Sequence, residues 1–63
     1  MFRIIFWDKE KETYYRVEHV TQLNSGFEKR TPIFYIFTID KRDPIILKQS
    51  KFKIERIEQE LKL

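Results

Sequence analysis

Ile33-Phe34-Tyr35-Ile36-Phe37-Thr38-Ile39 is the stretch that decides the fold. It is apolar on nearly both faces of an extended chain. β-branched and aromatic side chains fit a pleated surface, and a run without polar alternation marks a central strand covered on two sides. Asp40-Lys41-Arg42-Asp43-Pro44 follows as a turn. Asp bonds its own downstream backbone there, and Pro44 opens a strand where its missing N–H does least harm. Ile45, Ile46 and Leu47 carry that next strand.

Moving toward the N-terminus, residues 13–23 alternate. Tyr15, Val17, His19, Thr21 and Leu23 share one face; Tyr14, Arg16, Glu18, Val20 and Gln22 share the other. Period-2 alternation is the mark of a half-buried strand. Asn24-Ser25-Gly26 reads as a turn, because Asn and Gly tolerate positive φ, and a loop of about nine residues would close at Pro32. Before this, residues 2–7 form a first strand with Phe2, Ile4 and Phe6 on one side and Arg3, Ile5 and Trp7 on the other. The polar run from Asp8 to Glu12 connects the two.

Residues 50–63 support two readings. As a helix, Ser50 is an N-cap, Ile54, Ile57 and Leu61 share a face, and Glu58 and Lys62 form an i, i+4 pair. As a strand, Ile57, Gln59, Leu61 and Leu63 alternate with Glu58, Glu60 and Lys62, with Phe52 and Ile54 in a tight turn ahead. Under either reading Phe52, Ile54, Ile57 and Leu61 are apolar anchors. The expected fold is mostly β (α+β under the helix reading). It is a small antiparallel meander, a barrel-like or curled sheet of four or five strands with a short C-terminal helix or strand.

Residues 1–63 are expected to form a single small globular domain. A chain this short buries only about 60% of its unfolded surface. It has no Cys to brace it, and six Phe, three Tyr and one Trp to fill its core. Each aromatic buries roughly 150–250 Å². Self-association is the other way to gain burial. No apolar run reaches the roughly 18–20 residues of a membrane helix, and the N-terminus lacks a signal-peptide cleavage site. Those features, with the absence of Cys, set the expectation of a cytoplasmic protein that does not engage membranes.

The chemistry available is narrow. His19 is the only histidine and has no nucleophile motif near it. Asp8, Glu10 and Glu12 have calcium-loop spacing, but Lys9 and Lys11 interleave and no glycine allows the bend. Asp40 and Asp43 flank a turn with two cations between them. The single Gly26 excludes a phosphate loop and a dinucleotide fingerprint. The expectation is therefore no catalytic residues, no metal, no cofactor, no small-molecule substrate and no enzymatic activity.

Charge is uneven. Net charge is +3, and residues 1–40 carry six basic and six acidic side chains. Residues 41–53 carry Lys41, Arg42, Lys48, Lys51 and Lys53 against Asp43 alone. A concentrated basic segment attracts polyanions. Small β-barrels bind single strands by adding aromatic platforms to such surfaces. Trp7, Tyr14 and Tyr35 are the candidate platforms. The first strand, rich in Ile and Phe, is a candidate edge for pairing with another chain.

The segment Ile46-Leu47-Lys48-Gln49-Ser50-Lys51-Phe52-Lys53-Ile54-Glu55-Arg56-Ile57-Glu58 resembles the ending of very small β-meander proteins of phages, prophages and mobile elements of low-GC Gram-positive bacteria. In those, a short turn and an Ile-x-x-Ile-Glu pattern lead into the last strand. The resemblance implies a C-terminal strand and a binding role toward host proteins or nucleic acid. It carries over no catalytic residue. The leading expectation is a non-enzymatic interaction module acting through a protein partner or as a homo-oligomer. The alternative is a small nucleic-acid-binding β domain using the basic 41–53 segment.

Overall fold

A computed structural model describes residues 1–60. It contains five strands: β1 (Phe2–Asp8), β2 (Thr13–Glu28), β3 (Thr31–Thr38), β4 (Ile45–Lys48) and β5 (Phe52–Gln59). All pairings are antiparallel, in the single sheet order β4-β3-β2-β1-β5. No helix among the described residues is long and apolar enough to cross a membrane.

The long β2 organises the sheet. Its first half pairs with β1 and its second half with β3. Val20 stands at the changeover, opposite Phe2 on one side and Thr38 on the other. Two register shifts flank it, one between the Phe2 and Ile4 pairs and one between the Val20 and Gln22 pairs. Each adds a residue to β2, which bends the strand and reverses its alternation. Val17 and Val20 are consequently both in the core, and Leu23 packs against it. The expected face of Tyr15, Val17, His19, Thr21 and Leu23 is thus broken: His19 and Thr21 are exposed and Val20 is fully buried. His19 takes φ 57°, a left-handed conformation within the first bulge.

The bend lets the sheet curl until the inner faces of β1 and β3 meet. Phe6 lies fully buried, with ring centroids 5.8 Å from Phe34 on β3, 6.3 Å from Phe52 on β5 and 6.5 Å from Tyr15 on β2. Ile4, Ile36, Val17 and Val20 complete the buried centre, and Phe2, Ile45, Leu47 and Ile54 close around it.

The turn expected at Asn24-Ser25-Gly26 does not form. β2 runs on to Glu28, and Lys29 and Arg30 make the hairpin with φ 48° and 68°. Positive φ at both central residues is what a type I′ turn requires. Gly26 serves instead as a gap in the strand. A Cβ there would stand 2.8 Å from Cε2 of Tyr35. Asp8 organises the β1–β2 turn by accepting the N–H groups of Glu10 and Lys11, each at 3.0 Å.

The C-terminal helix does not form either. Residues 52–59 pair with β1 from Asp8↔Phe52 to Phe2↔Gln59. Helix propensity differs by only tenths of a kcal/mol per residue, so tertiary burial overrides it. Here the gain is Phe52 and Ile54 packed on the core. The tight turn precedes these two residues, at Gln49–Lys51, rather than containing them. Ile57 is no anchor: it lies opposite Ile4 yet is 53% exposed. Leu61, Lys62 and Leu63 lie outside the described residues. The pairing also corrects the expected edge. β1 is flanked on both sides, by β2 and β5, so among the described residues the open edges belong to β4 and β5.

Candidate interaction surface

Three cross-strand rows make up the outward face of the β2–β1–β5 half. Residues directly opposite on paired strands point to the same side, so register defines each row. Tyr14, Trp7 and Lys53 form one, and Arg16, Ile5 and Arg56 the next. In the third, Arg3 stands opposite Glu58 and bonds Glu18. Trp7 and Tyr14 meet edge to face at 5.0 Å and 67°. Tyr14, Arg16, Arg56 and Glu55 frame a depression of about 360 Å³ with Ile5 at its floor. Ile5 is only 6% exposed although it points away from the core. Long arginine stems cover apolar surface while their heads stay in water.

The charges alternate across this face. Arg16 lies 3.8 Å from Glu18, Glu18 2.8 Å from Arg3, Arg3 3.2 Å from Glu58, and Glu58 2.9 Å from Arg56. Hydrogen bonds to Glu18 and then Glu58 raise the Arg3 pKa further above its already high ordinary value. Arg3 is therefore satisfied inside the lattice. Arg16 and Arg56, at its two ends, each have one carboxylate neighbour and are about two-thirds exposed. They and Lys53 are the cations this face offers to a ligand.

At the far end of the charge network, Glu60, just after β5, is tied to the bend in β2. Its carboxylate accepts the backbone N–H of His19 and lies 3.2 Å from His19 Nδ1. The His19 N–H, first, and the His19 side chain hold the Glu60 carboxyl below its ordinary value near 4.5, against a smaller opposing effect of desolvation. A depressed folded pKa adds stability that is complete above the unfolded value and lost as pH falls through the folded one. Glu60→Gln should therefore be less stable than the wild type at neutral pH, with the difference shrinking on acidification below about 4.5. Denaturant midpoints of both proteins from pH 7 to 3 check this; a constant difference contradicts it.

The basic residues expected to act together are dispersed. Lys41 and Arg42 sit exposed in the β3–β4 turn. Lys48 is at the other end of β4, opposite Ile33 and beside Glu28 and Lys29. Lys51 is in the β4–β5 turn, 3.2 Å from Glu10. Lys53 alone joins the aromatic pair. Trp7 and Tyr14 are brought together, whereas Tyr35 lies on the outward side of the other half, over Gly26 and opposite Asn24 and Ile46. Arg16 and Arg56 were missed as candidates. The alternation of residues 13–17 already put Arg16 on Tyr14's face, but Arg56 joins only through the β1–β5 pairing.

The second feature is the free edge of β5. This eight-residue strand has β1 on one side and no strand on the other among the described residues. Comparison with protein-family models, with curated proteins and with solved structures finds no match.

Proposed function

We propose that this chain is a non-enzymatic binding module that recruits a protein partner, or a second copy of itself, along the free edge of β5. The observation that carries this reading is the β5 edge, unpaired among the described residues, with half-exposed Ile57 beside it. An open edge offers a ladder of N–H and C=O groups to an incoming strand, and neighbouring side chains supply selectivity. Selection from a displayed library of random peptides tests it. Extended peptides should be captured, and Ile57→Lys should weaken them by about tenfold, equivalent to ~1.4 kcal/mol. A library that yields no strand-forming binder, with a chain that stays monomeric, contradicts it.

A second reading, contact with single-stranded nucleic acid, is favoured by the Tyr14–Trp7–Lys53 row beside Arg16 and Arg56. Base stacking on an aromatic is worth about 1–3 kcal/mol, and phosphate contacts make affinity fall steeply with salt. On this reading Trp7→Ala weakens oligonucleotide binding by about tenfold or more. Arg16→Ala and Lys53→Ala should cost more than Lys48→Ala, because Lys48 lies off this face. No binding at roughly 50 mM salt ends this reading.

A further inference from the structure

We infer that the occupant of the β5 edge is a second copy of this chain, paired antiparallel about a two-fold axis between Glu55 and Arg56. This rests on the edge-binding reading above and specifies its partner.

The sequence of β5, Phe52-Lys53-Ile54-Glu55-Arg56-Ile57-Glu58-Gln59, is complementary to its own reversal. In the symmetric register Glu55 faces Arg56 of the second copy, Ile54 faces Ile57, Lys53 faces Glu58 and Phe52 faces Gln59. By symmetry each pairing occurs twice. Every charge meets its opposite, and the isoleucines meet each other. Opposite charges directly across a ladder stabilise it, and like charges destabilise it.

The neighbouring two-fold registers fail on the same test. Moving the axis onto Glu55 sets that residue against itself, and moving it onto Arg56 does the same there. One further step either way opposes Lys53 to Arg56 or Glu55 to Glu58. The complementary arrangement is thus single among five adjacent registers.

Face geometry agrees. Paired residues must point to the same side of a sheet. In a regular strand Ile54 and Ile57, three apart, would point oppositely. The register shift between the Ile5 and Phe6 pairs adds one residue to β5, so Ile54 lies opposite Phe6 and Ile57 opposite Ile4, both on the core side. A bulge ordinarily deters edge pairing. In the two-fold arrangement each copy sets its own irregular step against the other's. Lys53, Arg56 and Glu58 face outward, and the half-exposed Ile57 is covered by Ile54 of the second copy. The contact is isologous and closes on itself, so it stops at a dimer.

Charge complementation tests this. The wild type should sediment as a dimer. Glu55→Arg alone and Arg56→Glu alone each place like charges in the two central pairings. Each should raise the dissociation constant by about tenfold or more. Mixing the two variants should restore a dimer containing one of each, because opposite charges then meet at both central pairings. Both positions are exposed, and a circular dichroism spectrum of each variant is the check that it folds. A wild type that is monomeric at millimolar concentration overturns the inference. So does a dimer that survives both single variants, or a mixture that does not associate. A monomer that still captures extended peptides along β5 overturns the second copy while leaving the edge-binding reading intact.

Discussion

Phe6→Ala is expected to leave the chain unfolded at room temperature. The Phe6 ring is fully buried and meets aromatic rings from β2, β3 and β5. It is the side chain that joins the two halves of the curled sheet. Truncating a buried Phe to Ala costs about 3–5 kcal/mol in lost transfer energy and cavity formation. A core of this size, with no disulfide, supplies roughly 3–5 kcal/mol in total. The two magnitudes meet, so the fold does not survive. Phe27→Ala is the control, because Phe27 is 73% exposed at the hairpin end. Such surface changes stay within about 0.5 kcal/mol. Denaturant unfolding of both variants checks the contrast. A cooperative transition in Phe6→Ala close to that of the wild type would mean that the halves are not held together at this ring.

Gly26→Ala is the second large effect, and its sign depends on one neighbour. Gly26 does not have positive φ, so its backbone accepts Ala without strain. Glycine inside a strand costs entropy, and Ala alone would stabilise by about 0.4–1 kcal/mol. The new Cβ, however, would stand 2.8 Å from the ring of Tyr35. Displacing a packed ring costs about 1–3 kcal/mol. The clash wins, and Gly26→Ala destabilises. In a Tyr35→Ala background the clash is gone, and the same substitution should become neutral or stabilising. A double-mutant cycle on unfolding free energies isolates this coupling. An equal cost in both backgrounds would place the constraint in the backbone rather than the ring.

Gly26 also shows where sequence reasoning reached its limit. Asn24-Ser25-Gly26 has turn composition, but the same glycine serves a close approach between neighbouring strands, and local composition does not separate the two. The true turn at Lys29-Arg30 carries no such signal, because two long cationic residues adopt left-handed angles that Asn and Gly would take more readily. Its position is set by the register that puts Leu23 opposite Ile36. β1, β3 and β4 were legible to within two residues, since their apolar runs and flanking turns are local properties. The bend in β2 was not, because a bulge reverses the alternation that the reading depends on. The C-terminal strand was decided by the vacancy beside β1, a tertiary fact that opposes the helical spacing of Ile54 and Ile57.

The candidate surface divides the same way. Trp7 and Tyr14 were legible as candidate aromatic platforms, each on a strand face shared with an arginine. The basic segment 41–53 looked concentrated because its residues are close in sequence, but the β3–β4–β5 path carries them to different ends and faces. The candidate surface is built from rows across strands, and rows are set by register. Both the Tyr14–Trp7–Lys53 row and the self-complementary edge depend on β5 lying beside β1.

Amide hydrogen exchange on the wild type, followed residue by residue from dilute to concentrated solution, tests most directly that two copies of this chain pair along β5. The predicted result is slower exchange at concentration for alternate amides of Phe52–Gln59, those turned away from β1, with the outer amides of β4 unchanged. Slowing at β4 instead, or no concentration dependence at β5, would contradict it.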